Sequence, residues 1–141
     1  MNFMLALPRL DYSSLLALAR QSGGVSEECA CIDPMPRAWT SMPLSLPDTY
    51  LDEIATLRSP SADELIVTEY HPGGTNFWSE DAPIAIDYYP YNDCTVWRCR
   101  RCSRAFLFYV EGGGYFVDRR IRLLDPCLVA APSIATASPK D

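Results

Sequence analysis

The chain has 141 residues, 48% of them hydrophobic and 21% charged, with a formal net charge of −6. That length fits one domain rather than two full hydrophobic cores, and the apolar share is too high for a wholly disordered chain. No apolar run approaches the roughly 18 residues a membrane span needs, and the acidic balance argues against a protein that coats nucleic acid by bulk charge.

In chain order, Met1 to Leu7 is apolar, but no basic residue precedes it and Pro8 interrupts it. It is therefore not expected to act as a secretory signal, and a cytoplasmic protein is expected. Asp11 to Arg20 predicts a short helix, with Asp11 or Ser13 as cap and Gly23-Gly24 as stop. Gly24 to Pro47 reads as loop, with Pro34, Pro36, Pro43 and Pro47, and it carries Cys29-Ala30-Cys31. A second helix is expected from Pro47 to about Leu57: proline is tolerated in a first turn, and Asp48, Asp52 and Glu53 suit the positive end of the dipole.

After Ser59-Pro60 the composition turns to β. Leu65 to Tyr70 has strand composition, Ile84 to Tyr89 is a weaker strand, and His71 to Asn76 between them is turn material. The clearest pattern comes last. Thr95 to Trp97, a Cys-x-x-Cys turn, Ala105 to Glu111, Gly112-Gly113-Gly114 and Tyr115 to Leu124 predict consecutive antiparallel strands, with the glycines supplying a tight hairpin. Past Pro126 a frayed tail is expected. The reading is one α+β domain over 1–141, with one or two N-terminal helices packed on a small antiparallel sheet that ends in a zinc-ribbon-like hairpin. Its parts are a helical and loop region over 1–64, the β region over 65–125 and a tail over 126–141.

Six cysteines (Cys29, Cys31, Cys94, Cys99, Cys102, Cys127) acquire a meaning from the compartment. In a reducing cytoplasm paired spacings suggest metal rather than disulfides. Cys99-Arg100-Arg101-Cys102, placed between strands, has zinc-knuckle spacing, and two such thiolates can each approach one tetrahedral ion to about 2.3 Å. Cys29 and Cys31 are the natural second pair, so a structural zinc held by Cys29, Cys31, Cys99 and Cys102 is expected. His71, the only histidine, and Cys94 are competing ligands; Cys127 has no partner by spacing. A disulfide or redox role for Cys99 and Cys102 is the main competitor, although redox pairs of this spacing usually open a helix.

No catalytic residue is assigned. Carboxylates are plentiful, but no pair is singled out as acid and base. Nucleotide-binding glycine loops, His-Glu-x-x-His and a nucleophile motif beside His71 are all missing from the sequence. Residues 1–97 hold fourteen acids and four bases, whereas residues 98–141 hold eight bases and four acids. Seven arginines (Arg98, Arg100, Arg101, Arg104, Arg119, Arg120, Arg122) fall within the 25 residues around the hairpin, which predicts an acidic face and a basic patch. Aromatics fall among acids at Phe77, Trp78, Glu80, Asp81, Asp87, Tyr88, Tyr89 and Tyr91, a composition suited to a basic protein partner.

Tyr89-Pro90-Tyr91-Asn92 through Trp97, Cys99, Cys102 and Phe106, then Glu111 to Arg122 and Leu124-Asp125-Pro126, resembles a group of small proteobacterial proteins. That group is associated with immunity proteins encoded beside toxins of interbacterial competition systems such as type VI secretion. The resemblance spans roughly residues 65–127. It implies a stoichiometric toxin inhibitor and carries over no catalytic or binding residues. The expected function is thus binding and neutralising a cognate toxin, with a nuclease favoured as target and Trp78, Glu80, Asp81, Asp87, Tyr88, Tyr89 and Tyr91 as the contact. Membrane and nucleic acid are not expected as partners. The alternative is a zinc-ribbon-like nucleic-acid or transcription accessory module that uses the arginines from Arg98 to Arg122.

Overall fold

The structure, a computed structural model, describes residues 7–24, 35–41, 51–58, 68–113 and 116–131. Among the described residues one α-helix, α1 (Tyr12–Gly23), precedes five strands: β1 (Thr40–Ser41), β2 (Leu51–Thr56), β3 (Thr95–Cys99), β4 (Ala105–Gly113) and β5 (Phe116–Leu123), with a single 3-10 turn at Tyr91–Asp93 ahead of β3. The Asp11 carboxylate caps α1 by accepting from the Ser14 N–H at 2.9 Å. At the other end the Gly24 N–H closes onto the carbonyls of Arg20, Gln21 and Ser22. The expected helix is therefore present and runs three residues further than Arg20. No helix among the described residues is long and apolar enough to cross a membrane.

The strands form one antiparallel sheet in the order β1-β5-β4-β3-β2. Alternation along the strands gives it two faces. Val96, Ala105, Leu107 and Tyr109 meet Leu15 and Ala19 of α1 together with Trp39, Leu57, Ile84, Tyr91 and Leu124. On the other face Leu51, Cys99, Phe106 and Ile121 pack with Cys102, and Met35, Trp97 and Leu123 lean against them. The α+β class and the β3–β4–β5 meander agree with the sequence reading.

Four details differ. The helix expected over Pro47 to Leu57 is strand β2 in its described part. Leu51 and Ala55 are four residues apart, as on a helix, but they are buried on opposite faces of the sheet, with a register shift between Glu53 and Ala55. A bulged strand covered on both sides mimics helical spacing. The sheet accordingly draws strands from within 1–64, a region read as helix and loop. Ile84 to Tyr89 is a single parallel bridge, Ile84 to Val129, followed by turns. That bridge ties down the chain past Pro126, since the Ile84 N–H donates to Leu128 O at 2.8 Å and the Ala130 N–H to Ile84 O at 2.9 Å. Gly112 and Gly113 lie inside β4, opposite Val117 and Phe116. Of the strand expected at Leu65 to Tyr70, residues 65–67 lie outside the described residues and 68–70 form no strand.

Among the described residues one charged side chain is wholly inside. Arg122 of β5 is 0% exposed. Its Nε donates to Arg37 O at 3.2 Å, its Nη2 to Glu80 O at 3.0 Å and Ala82 O at 2.9 Å, and its Nη1 to the Tyr91 hydroxyl. Trp39 Nε1 donates to the same hydroxyl at 3.2 Å. None of the ion pairs among the described residues involves this guanidinium; neutral oxygens from three separate segments satisfy it. Arg122→Leu would leave those carbonyls buried without a donor, and we expect it to cost about 3–5 kcal/mol in urea unfolding. A loss below about 1 kcal/mol would show that the network is dispensable.

Candidate functional site

The β4–β5 register sets Tyr109 opposite Arg120 and Glu111 opposite Asp118, and all four project from the face that carries Leu107 and Arg122. Arg120 is the hub. Its Nε donates to Asp118 Oδ2 at 2.9 Å and its Nη1 to the Tyr109 hydroxyl at 2.9 Å, with Glu111 Oε1 at 3.6 Å. The Glu111 carboxylate also accepts from Tyr89 at 2.6 Å and from Tyr109 at 3.1 Å, while Ser41 Oγ donates to Asp118 Oδ2 at 2.9 Å. Above the guanidinium lie Trp78 at 4.8 Å, Phe77 at 5.4 Å and Tyr109 at 6.0 Å, measured to ring centroids. Such stacking holds a cation and rigid aromatic area in one place.

Trp78 reaches this position from a tight turn. Its N–H donates to Asn76 Oδ1 at 2.9 Å, and the Asn76 N–H donates to Ser79 Oγ at 3.0 Å. The indole remains 55% exposed. Glu80 and Asp81 follow it in the open, and the carbonyls of Glu80 and Ala82 are the ones that Arg122 holds from inside. An exposed aromatic on a fixed turn, flanked by carboxylates, is thus fastened from below by two arginines of one strand.

The electrostatics follow from the contacts. The Arg120 hydrogen bond, aided by Ser41, holds the Asp118 carboxyl below the usual aspartate value. Burial pushes the Tyr89 and Tyr109 hydroxyls up, and Glu111 pushes them the same way. Burial works against the charge of Arg120, but Asp118 and Tyr109 outweigh it and keep the group protonated.

The expected contact residues do not share one environment. Trp78 and Tyr89 meet around Arg120, Tyr109 and Glu111. Tyr88 packs against Tyr70, ring centroids 4.8 Å apart and tilted, beside exposed Asp87, around a hollow that Ala85 and Ala130 also line. Tyr91 is 5% exposed and belongs to the core, its ring 5.7 Å from Trp39; a partner does not reach it. Sequence reasoning missed Ser41, Tyr109, Glu111 and Asp118 as members of this site and read Arg120 only as part of the arginine patch. The signal was available: once Leu107 is taken as core-facing, alternation in β4 and pairing with β5 bring these groups to the same side.

The seven arginines do not make one patch. Arg122 is internal, Arg120 is engaged with Asp118, and Arg100 Nε pairs with Asp52 at 2.9 Å. Arg119 lies over Phe108, at 5.4 Å, on the opposite face of the sheet from Arg120.

Of the expected metal ligands, Cys99 and Cys102 come together as buried members of one cluster, and Cys29 and Cys31 lie outside the described residues. Among the described residues no group of three metal donors occurs. Cys94 sits in the other cluster, its Sγ donating to Pro90 O at 3.2 Å and its thiol pushed well up by burial. Cys127 is exposed in the turn after Asp125. His71 is held at both ring nitrogens, by Thr75 Oγ1 at 2.8 Å and Glu69 Oε1 at 2.7 Å. That carboxylate–imidazole–hydroxyl chain fastens the 69–75 turn. It stands apart from the cleft of about 290 Å³ between α1 and the end of β5, which Ser22, Arg37, Arg104, Asp125 and Cys127 help to line.

The chain matches no protein-family model, no curated protein and no solved structure.

The Asp118 contact yields a pH test. A carboxyl whose folded-state value is depressed adds stability that is complete above its unfolded value, about 4, and is lost as the pH falls through the folded value. Carboxyl ¹³C shifts followed from about pH 7 to about pH 2 should show Asp118 titrating below ordinary aspartates. In Arg120→Met its midpoint should return toward the ordinary value. An identical titration in the two proteins would contradict the pairing.

Proposed function

We propose that this is an immunity-type protein: a stoichiometric, non-enzymatic inhibitor that binds and neutralises a cognate toxin of interbacterial competition, such as type VI secretion, in the cytoplasm. The observation that carries the reading is Trp78, 55% exposed on a turn that Arg120 and Arg122 hold rigid. A large aromatic fixed before binding loses little conformational freedom when it docks, which is the property of an interface anchor. Exposed Glu80 and Asp81 beside it favour a basic partner, and carboxylates suit the phosphate positions of a nuclease groove. Tyr89 extends the same surface, while Asp87 and Tyr88 form a second contact area around Tyr70.

The nucleic-acid alternative depends on a continuous arginine patch. It is the weaker reading, because Arg122, Arg120 and Arg100 are committed to contacts within the chain. The finer fold reading, a zinc-ribbon-like end to the sheet, rests on the Cys99–Cys102 turn between β3 and β4.

The test is binding kinetics against the toxin encoded beside this gene. Trp78→Ala should weaken binding about tenfold or more, chiefly through faster dissociation. Glu80→Lys with Asp81→Lys should slow association, with the deficit shrinking as salt is raised. Affinity and on-rate unchanged in both variants would overturn this surface as the contact.

A further inference from the structure

The cleft between α1 and the end of β5 plays no part in the partner surface around Trp78. We infer that it is a binding site for a small organic acid, with Arg37 and Arg104 receiving the ligand's carboxylate or phosphate oxygens.

Four parts of the chain supply its walls. Ser22 and Gly23 end α1 on one side, Leu123 to Cys127 run past them, and Arg37 and Arg104 complete the described lining. The space is about 290 Å³, near the lower bound of small-molecule sites. Its closed end depends on Gly23. A Cβ there would stand 2.9 Å from Pro126 Cγ, so a larger residue would push α1 away from the chain that follows β5.

Both arginines stand on fixed backbone. Arg37 O accepts from Arg122 Nε at 3.2 Å, and the preceding Pro36 O accepts from Leu123 N–H at 2.7 Å. Arg104 O accepts from Cys99 N–H at 2.9 Å, and the next amide, that of Ala105, donates to Ser22 Oγ at 2.8 Å. The rim is held as well. Asp125 Oδ1 accepts from Cys127 N–H at 2.9 Å, and Asp125 O accepts from Leu128 N–H at 3.0 Å. A site whose walls are fixed before binding loses little order when a ligand enters.

Charge sets the ligand class. The chain holds 18 acids against 12 bases, and Arg58, Arg100 and Arg120 each have a carboxylate oxygen within 3.0 Å. Among the described residues neither Arg37 nor Arg104 has such a partner. Asp125, the carboxylate on the same lining, is drawn into its own turn. Two guanidiniums against one carboxylate leave the lining net positive on a chain of net charge −6. Solvated surface arginines are the plain alternative. Arg104, however, is only half exposed, and Leu123 and Pro126 put apolar surface beside it. A guanidinium partly withdrawn from water gains more from an oxyanion than one in bulk solvent, and its planar fork takes carboxylate or phosphate through two hydrogen bonds. The apolar surface favours an organic acid over a bare inorganic ion.

NMR of the full chain, titrated with succinate, with glycerol phosphate and with the neutral diamide of succinate, tests the inference. At least one of the two acids should shift the amides of Ser22, Gly23, Asp125 and Cys127 saturably, with a dissociation constant of about 1 mM or tighter. Which acid does so distinguishes carboxylate from phosphate. The same acid should slow alkylation at Cys127, read by peptide mass, and the diamide should do neither. Arg37→Ala and Arg104→Ala should each weaken binding about tenfold. Arg37→Lys, which keeps the charge and loses the fork, should recover part of it. Thermal midpoints of the alanine variants within about 2 °C of wild type would separate a lost contact from a lost fold. If a variant fails to fold, the wild-type titrations decide. No saturable shift beyond that of sodium chloride at equal ionic strength overturns the site, as does an equal response to the diamide or undiminished binding in both alanine variants. No readout involves a toxin, so the cleft and the Trp78 surface stand or fall separately.

Discussion

A buried positive charge that no carboxylate among the described residues pairs with constrains one face of this sheet. Removing a guanidinium from water is costly, and in Arg122 that cost is offset only because backbone oxygens and one phenol are delivered to it from three places in the sequence. The dependence runs both ways. The segments around Arg37, Glu80 to Ala82 and Tyr91 contain no long regular element, and the guanidinium organises them. Among the described residues a single α-helix accompanies the sheet, and irregular chain covers much of the rest of its core. Irregular chain stays in place when its polar groups have fixed partners.

β5 repeats this device along its length. Asp118, Arg120 and Arg122 project from the same face at successive alternate positions. Asp118 fastens Ser41, Arg120 supports the Phe77–Trp78 turn, and Arg122 holds Glu80 to Ala82 and Tyr91. The strand therefore sets the position of nearly every feature that a partner would meet on that side. On the opposite face the same strand contributes Ile121 and Leu123 to the cluster around Cys99 and Cys102. One strand thus serves polar fastening on one side and apolar packing on the other.

How much of this was legible in the sequence follows from how local each signal is. The Asp11 cap, the Gly23-Gly24 stop and the alternation through Ala105 to Leu124 act within a few residues, and α1 and the meander follow from them. β2 was not legible, because a strand buried on both faces with a bulge has lost the period of two that marks strands. The tie between Ile84 and Val129 joins positions 45 apart; the stretch from Ile84 reads only as a weaker strand and the chain past Pro126 as a tail, so nothing local pairs them. Arg122 was misread for a related reason. Composition places arginines in solvent, whereas register places this one opposite Leu107, and register was recoverable only after the hairpin had been aligned. For the candidate site, Trp78, Glu80 and Asp81 could be singled out as residue types. Their support could not, since Arg120 reads as part of a charge run until the sheet is folded.

The placement of charge also bears on what the surface can do. Arginines that dominate the stretch from Arg98 to Arg122 as letters do not all stand at the surface as free charge: one is internal, and two are engaged with carboxylates, while Arg98, Arg101 and Arg119 are exposed. The net charge of −6 is then expressed outward by side chains such as Glu80, Asp81 and Asp87, which are exposed. Charge of this kind acts at a distance and raises the rate of encounter with a basic partner, but screened carboxylates contribute little once contact is made. Affinity has to come from desolvated area held in shape before binding, and in the proposed reading Trp78 would supply it where Arg120 and Arg122 hold the turn. In the inhibitor proposed above, fast capture and slow release would thus fall on neighbouring residues with different chemistry, and the single strand β5 holds both in place.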